Sequence, residues 1–422
     1  MIKKKQLIRD IALFILIVIN VIFYFSTKNP IYLFIINIII MILISVIANF
    51  SIISIKIIVL NWVLIAAAFQ YITGESYGLL AMNLVPLYFK EMNIICLVYN
   101  LVMIIFVSKT NFLKLEKIKI LNYQSKFQLK NDKILLLCFI AIICSIIAFP
   151  RMPFTAATVG RFNALLKGNA WNHIVVVALL FLLPTIKTSR SVQVTYALCI
   201  FWFLSHYERV DMIGVIAAVL IVLFICGNYK GKMTISFKKN IKYIILIFLV
   251  ITIFLIIGDT RNGGKFEFSS IIKKIFVQKT AADIAYNFTS TIDFVINNGV
   301  LFGQTLLIYL VKLIPFTPNT TSTSALIQEI YHTAGGDFLL DDALINFGFI
   351  GIICFAIIEC FIIMWLLKSK SRYSFYIYIL LMATVFRVEW YGYFYIEKAV
   401  FYFVPIIMIL GRLRISRKFI TK

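Results

Sequence analysis

The sequence predicts an all-α polytopic membrane protein with about 12 transmembrane helices, and three observations predict it. The chain is 62% hydrophobic over 422 residues, with a mean hydropathy of +0.97, far too apolar for a water-soluble globule. Its apolar residues gather into runs at 8–25, 31–50, 57–73, 94–107, 134–149, 174–186, 194–206, 212–226, 243–258, 344–366, 374–386 and 399–411. The charges between these runs are partitioned. The N-terminus, Lys56, 108–133, 187–193, 227–242, 367–373 and the C-terminus hold 27 Lys/Arg against three acids, Asp10, Glu116 and Asp132. The remaining connections hold 14 of each sign. Lys- and Arg-rich connections stay in the cytoplasm, so both termini are expected inside.

A span needs roughly 20 mostly apolar residues to cross a hydrocarbon layer of ~30 Å. Several runs are shorter, so their ends must borrow polar flanks or sit in protein-lined regions. The first run follows Lys3, Lys4 and Lys5 as a signal peptide would, but no small-x-small cleavage site follows Phe25. It reads as an uncleaved first helix. The net charge of +23 follows from orientation beside an anionic inner leaflet, and no nucleic-acid partner is needed to explain it. All seven cysteines fall within or at the ends of apolar runs without CxxC spacing, so they read as small buried apolar residues rather than disulfides or zinc ligands.

Residues 194–226 are too long for one span and carry Glu208, Arg209 and Asp211 at their middle. Placing three ionisable groups at mid-membrane is costly. Two helices joined by the turn YERVD at the outer surface avoid that cost. The outer side then has one outsized segment, 259–343, giving three parts: helices one to nine in 1–258, the large extracytoplasmic segment 259–343, and the last three helices with a basic tail in 344–422. Within the large segment the apolar stretch 300–316 reads as a helix lying in or dipping into the membrane interface. Long ordered loops tend to carry function. The inner connections lack a phosphate-binding cradle, so the chemistry is expected outside, with no nucleotide or other cofactor.

Five arginines, Arg151, Arg161, Arg209, Arg261 and Arg387, lie on the expected outer side. Arg is planar, permanently charged and suited to bidentate phosphate contact. As a set they point to an anionic lipid headgroup such as a polyprenyl diphosphate; singly, each also reads as an interfacial anchor. The three histidines, His173, His206 and His332, are on or near the same side and lack zinc-site spacing, so no metal is expected. His173 and His206 read as interfacial polar residues. His332, inside YHTAGGDFLLDD, is the better candidate acid or base.

The stretch HTAGGDFLLDDALINFGFIG, residues 332–351, concentrates the remaining signals. Gly335–Gly336 permits a turn, and Asp337, Asp341 and Asp342 then meet the start of a helix. A carboxylate there is favoured by the helix dipole, so capping is one reading. Orienting or deprotonating an acceptor hydroxyl is the other. Outer aromatics, Trp171, Tyr331, Trp390, Tyr391, Tyr393 and Tyr395, suit sugar stacking or an interfacial belt.

Residues 342–351, DALINFGFIG, resemble the acidic xNFGxxG start of a late transmembrane helix in bacterial O-antigen or capsular polysaccharide repeat-unit polymerases of the Wzy type. The layout of many spans, both ends inside and one large outer segment before the last helices is similar too. Arg151 and Arg161 in PRMPFTAATVGRF, Arg209 in YERVD and Arg261 in GDTRNGG look like the outer arginines of that family.

The resemblance implies a GT-C-like architecture in the bacterial cytoplasmic membrane. It implies a glycosyltransferase reaction on undecaprenyl or another polyprenyl diphosphate-linked oligosaccharide, with a flippase and a chain-length regulator as partners. It implies catalytic roles for Arg151, Arg161, Arg209 and Arg261, which join the candidates read from the residues themselves: His332, Asp337, Asp341 and Asp342 for catalysis, and Arg387, Trp390 and Tyr391 for substrate contact. The related O-antigen ligases carry a His where this chain has Asp341–Asp342, a departure that favours polymerase over ligase.

Three rivals stay open. A flippase or exporter would place basic and polar residues inside the spans, where this sequence offers only Glu359. A membrane acyltransferase would want a His-based catalytic pair, and a non-enzymatic assembly partner is the third.

Overall fold

A computed structural model describes residues 2–48, 51–75, 84–126, 130–154, 169–208, 210–227, 252, 256, 279–314 and 322–412. The described residues are helical apart from connecting turns and one isolated bridge. Among them, five helices are long and apolar enough to cross a bilayer: Ile52–Thr73, Phe89–Ser108, Asn131–Ala148, Asp341–Lys368 and Tyr393–Leu410. Shorter apolar helices cover Phe14–Thr27, Ile31–Ile47, Ala170–Thr185 and Val210–Val222. The expected span 243–258 lies outside the described residues apart from Thr252 and Ile256.

The Asp341–Lys368 helix shows why membrane is the solvent. One stripe, Ile350, Ile353, Ile357 and Phe361, is exposed, while Ile352, Ala356, Glu359 and Ile363 are buried. Both stripes recur at helical spacing, yet the exposed one is apolar. A helix that is apolar all round is a core or membrane helix, not a water-facing one.

The chain divides into two compact units. The first comprises Met1–Glu116, Ile272–Trp365 and Val385–Tyr395; the second comprises Lys117–Ile271, Leu366–Thr384 and Ile396–Lys422.

In the first unit, helices Ile31–Ile47, Ile52–Thr73 and Phe89–Ser108 pack together around a ladder of asparagines. Asn37 Nδ2 donates to the Asn93 carbonyl at 2.9 Å. Asn100 Nδ2 donates to Asn37 Oδ1 and Asn61 Oδ1, each at 3.0 Å. Buried polar side chains of this kind bond across helices in a membrane, so the ladder ties the three together. The N-terminus of the second helix is closed from a distance, because Glu116 Oε1 accepts the Ile52 N–H at 2.8 Å. Against these helices packs Lys279–Asn298, the first described helix of the large segment.

Among the described residues of the stretch 300–316 a helix covers Gln304–Lys312, about 14 Å long at 1.5 Å per residue and by itself too short to cross. Leu307, Leu310 and Val311 are exposed on it, the face an interfacial helix presents to lipid.

The resemblance motif NFGFIG encodes a break. Gly348 sits at φ 61°, ψ −146°, inside Asp341–Lys368, a conformation open to glycine and costly for other residues. The break frees carbonyls that would have accepted bonds further along the helix. The Ile345 and Asn346 carbonyls instead accept the N–H groups of Leu301 at 2.9 Å and Phe302 at 3.0 Å. Asn346 Nδ2 adds bonds to Thr305 Oγ1 at 2.6 Å and to the Asp342 carbonyl at 2.7 Å. Backbone groups in a membrane protein must be satisfied internally, and the 301–305 turn satisfies these.

In the second unit, helix Asn169–Leu182 packs on Asn131–Ala148 and on Arg372–Ala383, where Phe181 stacks on Tyr376. Residues 194–226 form two helices, Arg190–Ser205 and Val210–Gly227, with Tyr207 at φ 62° between them. The break falls where the charges predict it. Lys119 donates to the Ser369 carbonyl and, at 2.7 Å, to Ser374 Oγ.

Candidate functional site

Three acids lead into the Asp341–Lys368 helix, and each has a different environment. Asp341 is fully buried. Its Oδ2 accepts Asn287 Nδ2 at 2.8 Å and the Phe338 N–H at 2.6 Å, binding the turn to the Lys279–Asn298 helix. These bonds hold the turn in place at the head of the helix.

Asp342 Oδ1 accepts the Thr323 hydroxyl at 2.5 Å, and a Cβ placed on Gly392 would stand 3.6 Å from its Oδ2. Asp337 Oδ2 accepts the Tyr309 hydroxyl at 3.3 Å. Burial, reinforced by the Asp337 and Asp342 carboxylates, pushes the Tyr309 phenol far above its ordinary value. It therefore stays protonated and donates.

The 385–396 segment closes over this turn. Leu339 N–H donates to the Glu389 carbonyl at 3.0 Å, and Asp337 bridges Tyr391 in parallel. Arg387 lies over the rings of Tyr391 and Tyr395, at 5.2 and 5.4 Å from their centroids, in the range of cation–π attraction. The expected residues Asp337, Asp341, Asp342, Arg387, Trp390 and Tyr391 thus belong to one neighbourhood of the first unit. Trp390 is 4% exposed and packs edge-on against Trp62 and Phe386, which anchors the segment.

His332 is exposed and closes helix Thr323–Tyr331 in the left-handed conformation. No bond joins its ring to the three acids among the described residues. Arg151 is exposed in the second unit. Its carbonyl faces His206 Nε2 at 2.8 Å, while Nδ1 faces the Trp202 carbonyl at 2.7 Å. His206 therefore pins the Arg151 turn, with Phe149 stacked on its ring. Arg161, Arg209 and Arg261 lie outside the described residues.

Deeper in the first unit stands a cluster that sequence reasoning missed. Lys56 Nζ pairs with Glu359 Oε1 at 2.7 Å and with Glu389 Oε1. Tyr99 and Tyr393 donate their hydroxyls to Glu359. Glu359 is not the isolated intramembrane acid expected from sequence, and Lys56 is not an inner-surface lysine. The available signal was a lone Lys in the apolar run IISIKIIVL.

On the rim, Asp293 accepts the Tyr331 hydroxyl at 2.6 Å and the Tyr88 hydroxyl. Burial alone would raise this carboxyl, but hydrogen bonds from Tyr331, Tyr88 and Asn297 outweigh it and hold it below its ordinary value. Among the described residues no group of three His, Cys, Asp or Glu is arranged to hold a metal ion.

Comparison of the chain with protein-family models, with curated proteins and with solved structures finds no match. What fold and site define is a helical protein with several helices suited to a membrane and a buried acidic turn at the head of one of them.

Proposed function

We propose that the chain is a polysaccharide repeat-unit polymerase of about 12 spans in the bacterial cytoplasmic membrane, with the acidic turn facing outward. One observation carries the reading: Asp337 and Asp342 meet the Arg387–Tyr391 segment at the head of the helix that begins with DALINFGFIG. In this reading a hydroxyl of the acceptor glycan attacks the anomeric carbon of a polyprenyl diphosphate-linked donor. The new C–O bond forms as the bond to diphosphate breaks, and the diphosphate leaves with the electron pair. Asp342 takes the hydroxyl proton, positioned by Thr323. Arg387 stabilises the charge growing on the leaving group, a contribution that in a dry site reaches several kcal/mol, and the resemblance gives the same role to Arg151, Arg161, Arg209 and Arg261. Holding two lipid-tethered substrates together supplies proximity.

The test is polymer length in cells carrying Arg151→Ala, Arg209→Ala or Arg261→Ala. Long chains should be lost while single-repeat glycolipid accumulates on the outer leaflet; unchanged chain length in all three refutes the site.

A flippase or exporter is the second reading, because Lys56, Glu359 and Glu389 are the intramembrane charges that reading requires. An inactive flippase would leave unpolymerised glycolipid on the inner leaflet instead.

A further inference from the structure

The cluster around Lys56 has one positive and two negative side chains. Lys56, Glu359 and Glu389 are 4%, 2% and 0% exposed. Glu359 lies nine residues before Lys368 and eleven after the Gly348 break, about 14 and 16 Å along the helix, so it sits near the middle of the span. With both carboxylates ionised the cluster carries a net negative charge on buried side chains. An uncompensated buried ion costs several kcal/mol even after relaxation. One added proton makes the cluster neutral.

The hydrogen bonds say where that proton belongs. Both Glu359 oxygens accept donors, Oε1 from Lys56 and Tyr393 and Oε2 from Tyr99, so neither is left bare. Glu389 has Oε1 on Lys56, but its buried Oε2 has no hydrogen-bond partner. A bare oxygen costs far less on a neutral acid than on a carboxylate.

We propose that Lys56, Glu359 and Glu389 form a binding site for one exchangeable proton, held on Glu389. The other titratable groups facing the site are Tyr99 from helix Phe89–Ser108, Tyr393 from the 393–396 turn and Cys360 beside Glu359. None of these residue types ionises ordinarily below pH ~8, so none supplies a competing negative charge. Because Glu389 also carries the carbonyl that receives Leu339 N–H, the proton helps hold the 385–396 segment on the acidic turn. This inference is independent of the polymerase reading.

The experiment is infrared difference spectroscopy on the full-length protein in lipid nanodiscs. The wild-type spectrum minus that of Glu389→Gln should hold one protonated-acid carbonyl stretch at neutral pH. Glu359→Gln should lose the same band, because either change leaves a neutral Lys–Glu pair that needs no extra proton. In wild type, alkali should convert that band into a carboxylate stretch. A featureless difference spectrum, or a wild-type acid band that resists alkali, overturns the proposal. Where Glu389→Gln fails to fold, the wild-type spectrum minus that of Glu359→Gln carries the same test.

Discussion

Lys56 Nζ stands 2.7 Å from Glu359 Oε1, joining helix Ile52–Thr73 to Asp341–Lys368 inside the apolar core of the first unit. Removing one partner of a buried pair strands the other, at a cost of about 3–5 kcal/mol. Lys56→Met is therefore expected to lower thermal stability sharply. Glu389→Gln, which leaves one lysine against one carboxylate, should stay close to wild type. Melting curves of the two detergent-solubilised variants check the contrast; equal losses would show that pairing is not what holds the cluster.

Asn100 bonds both Asn37 and Asn61. Interhelical hydrogen bonds of this kind contribute about 1–2 kcal/mol in membrane helices at the upper end. Asn100→Ala should cost that order of stability, and adding Asn61→Ala should cost less than the sum of the single changes because the two share a bond. A double-mutant cycle from unfolding measurements gives the coupling.

A Cβ on Gly351 would lie 2.2 Å from the Ala343 carbonyl oxygen, a distance backbone cannot tolerate. Gly351→Val should therefore destabilise by at least the 1–3 kcal/mol typical of overpacking. Gly348→Val forces a side chain into a left-handed conformation and should also cost stability. Thermal unfolding reads both. Wild-type stability in Gly351→Val would mean the helix does not turn tightly there.

Burial lowers the Lys119 ammonium from its ordinary value to about 8. Between that value and the unfolded one, the unfolded chain holds a proton that the folded chain has released. Stability should therefore rise as pH climbs from about 8 toward about 10, and Lys119→Met should flatten the rise. Melting temperatures across that window check the sign; a fall unique to wild type would contradict it.

Among the described residues, apolar helices and the break between Arg190–Ser205 and Val210–Gly227 were legible because hydropathy and charge are local signals. The turn at 206–208 follows from the cost of placing Glu208 and Asp211 in lipid. Lys56 was not legible, because counting charges between runs assigns any lysine at a run's edge to the aqueous side. Only tertiary packing brings Glu389 to it, from 333 residues away. Tyr309 was hidden for a similar reason: a phenol on a short apolar helix reads as interfacial until the fold turns it toward Asp337.

The central claim is that Asp342 serves glycan chain growth, and the most direct measurement is elongation itself. Full-length protein reconstituted with the host's own lipid-linked repeat units should yield a ladder of polymer lengths. Asp342→Asn, correctly folded by its melting curve, should leave only the single-repeat glycolipid. A full ladder from the folded Asp342→Asn protein would contradict the account.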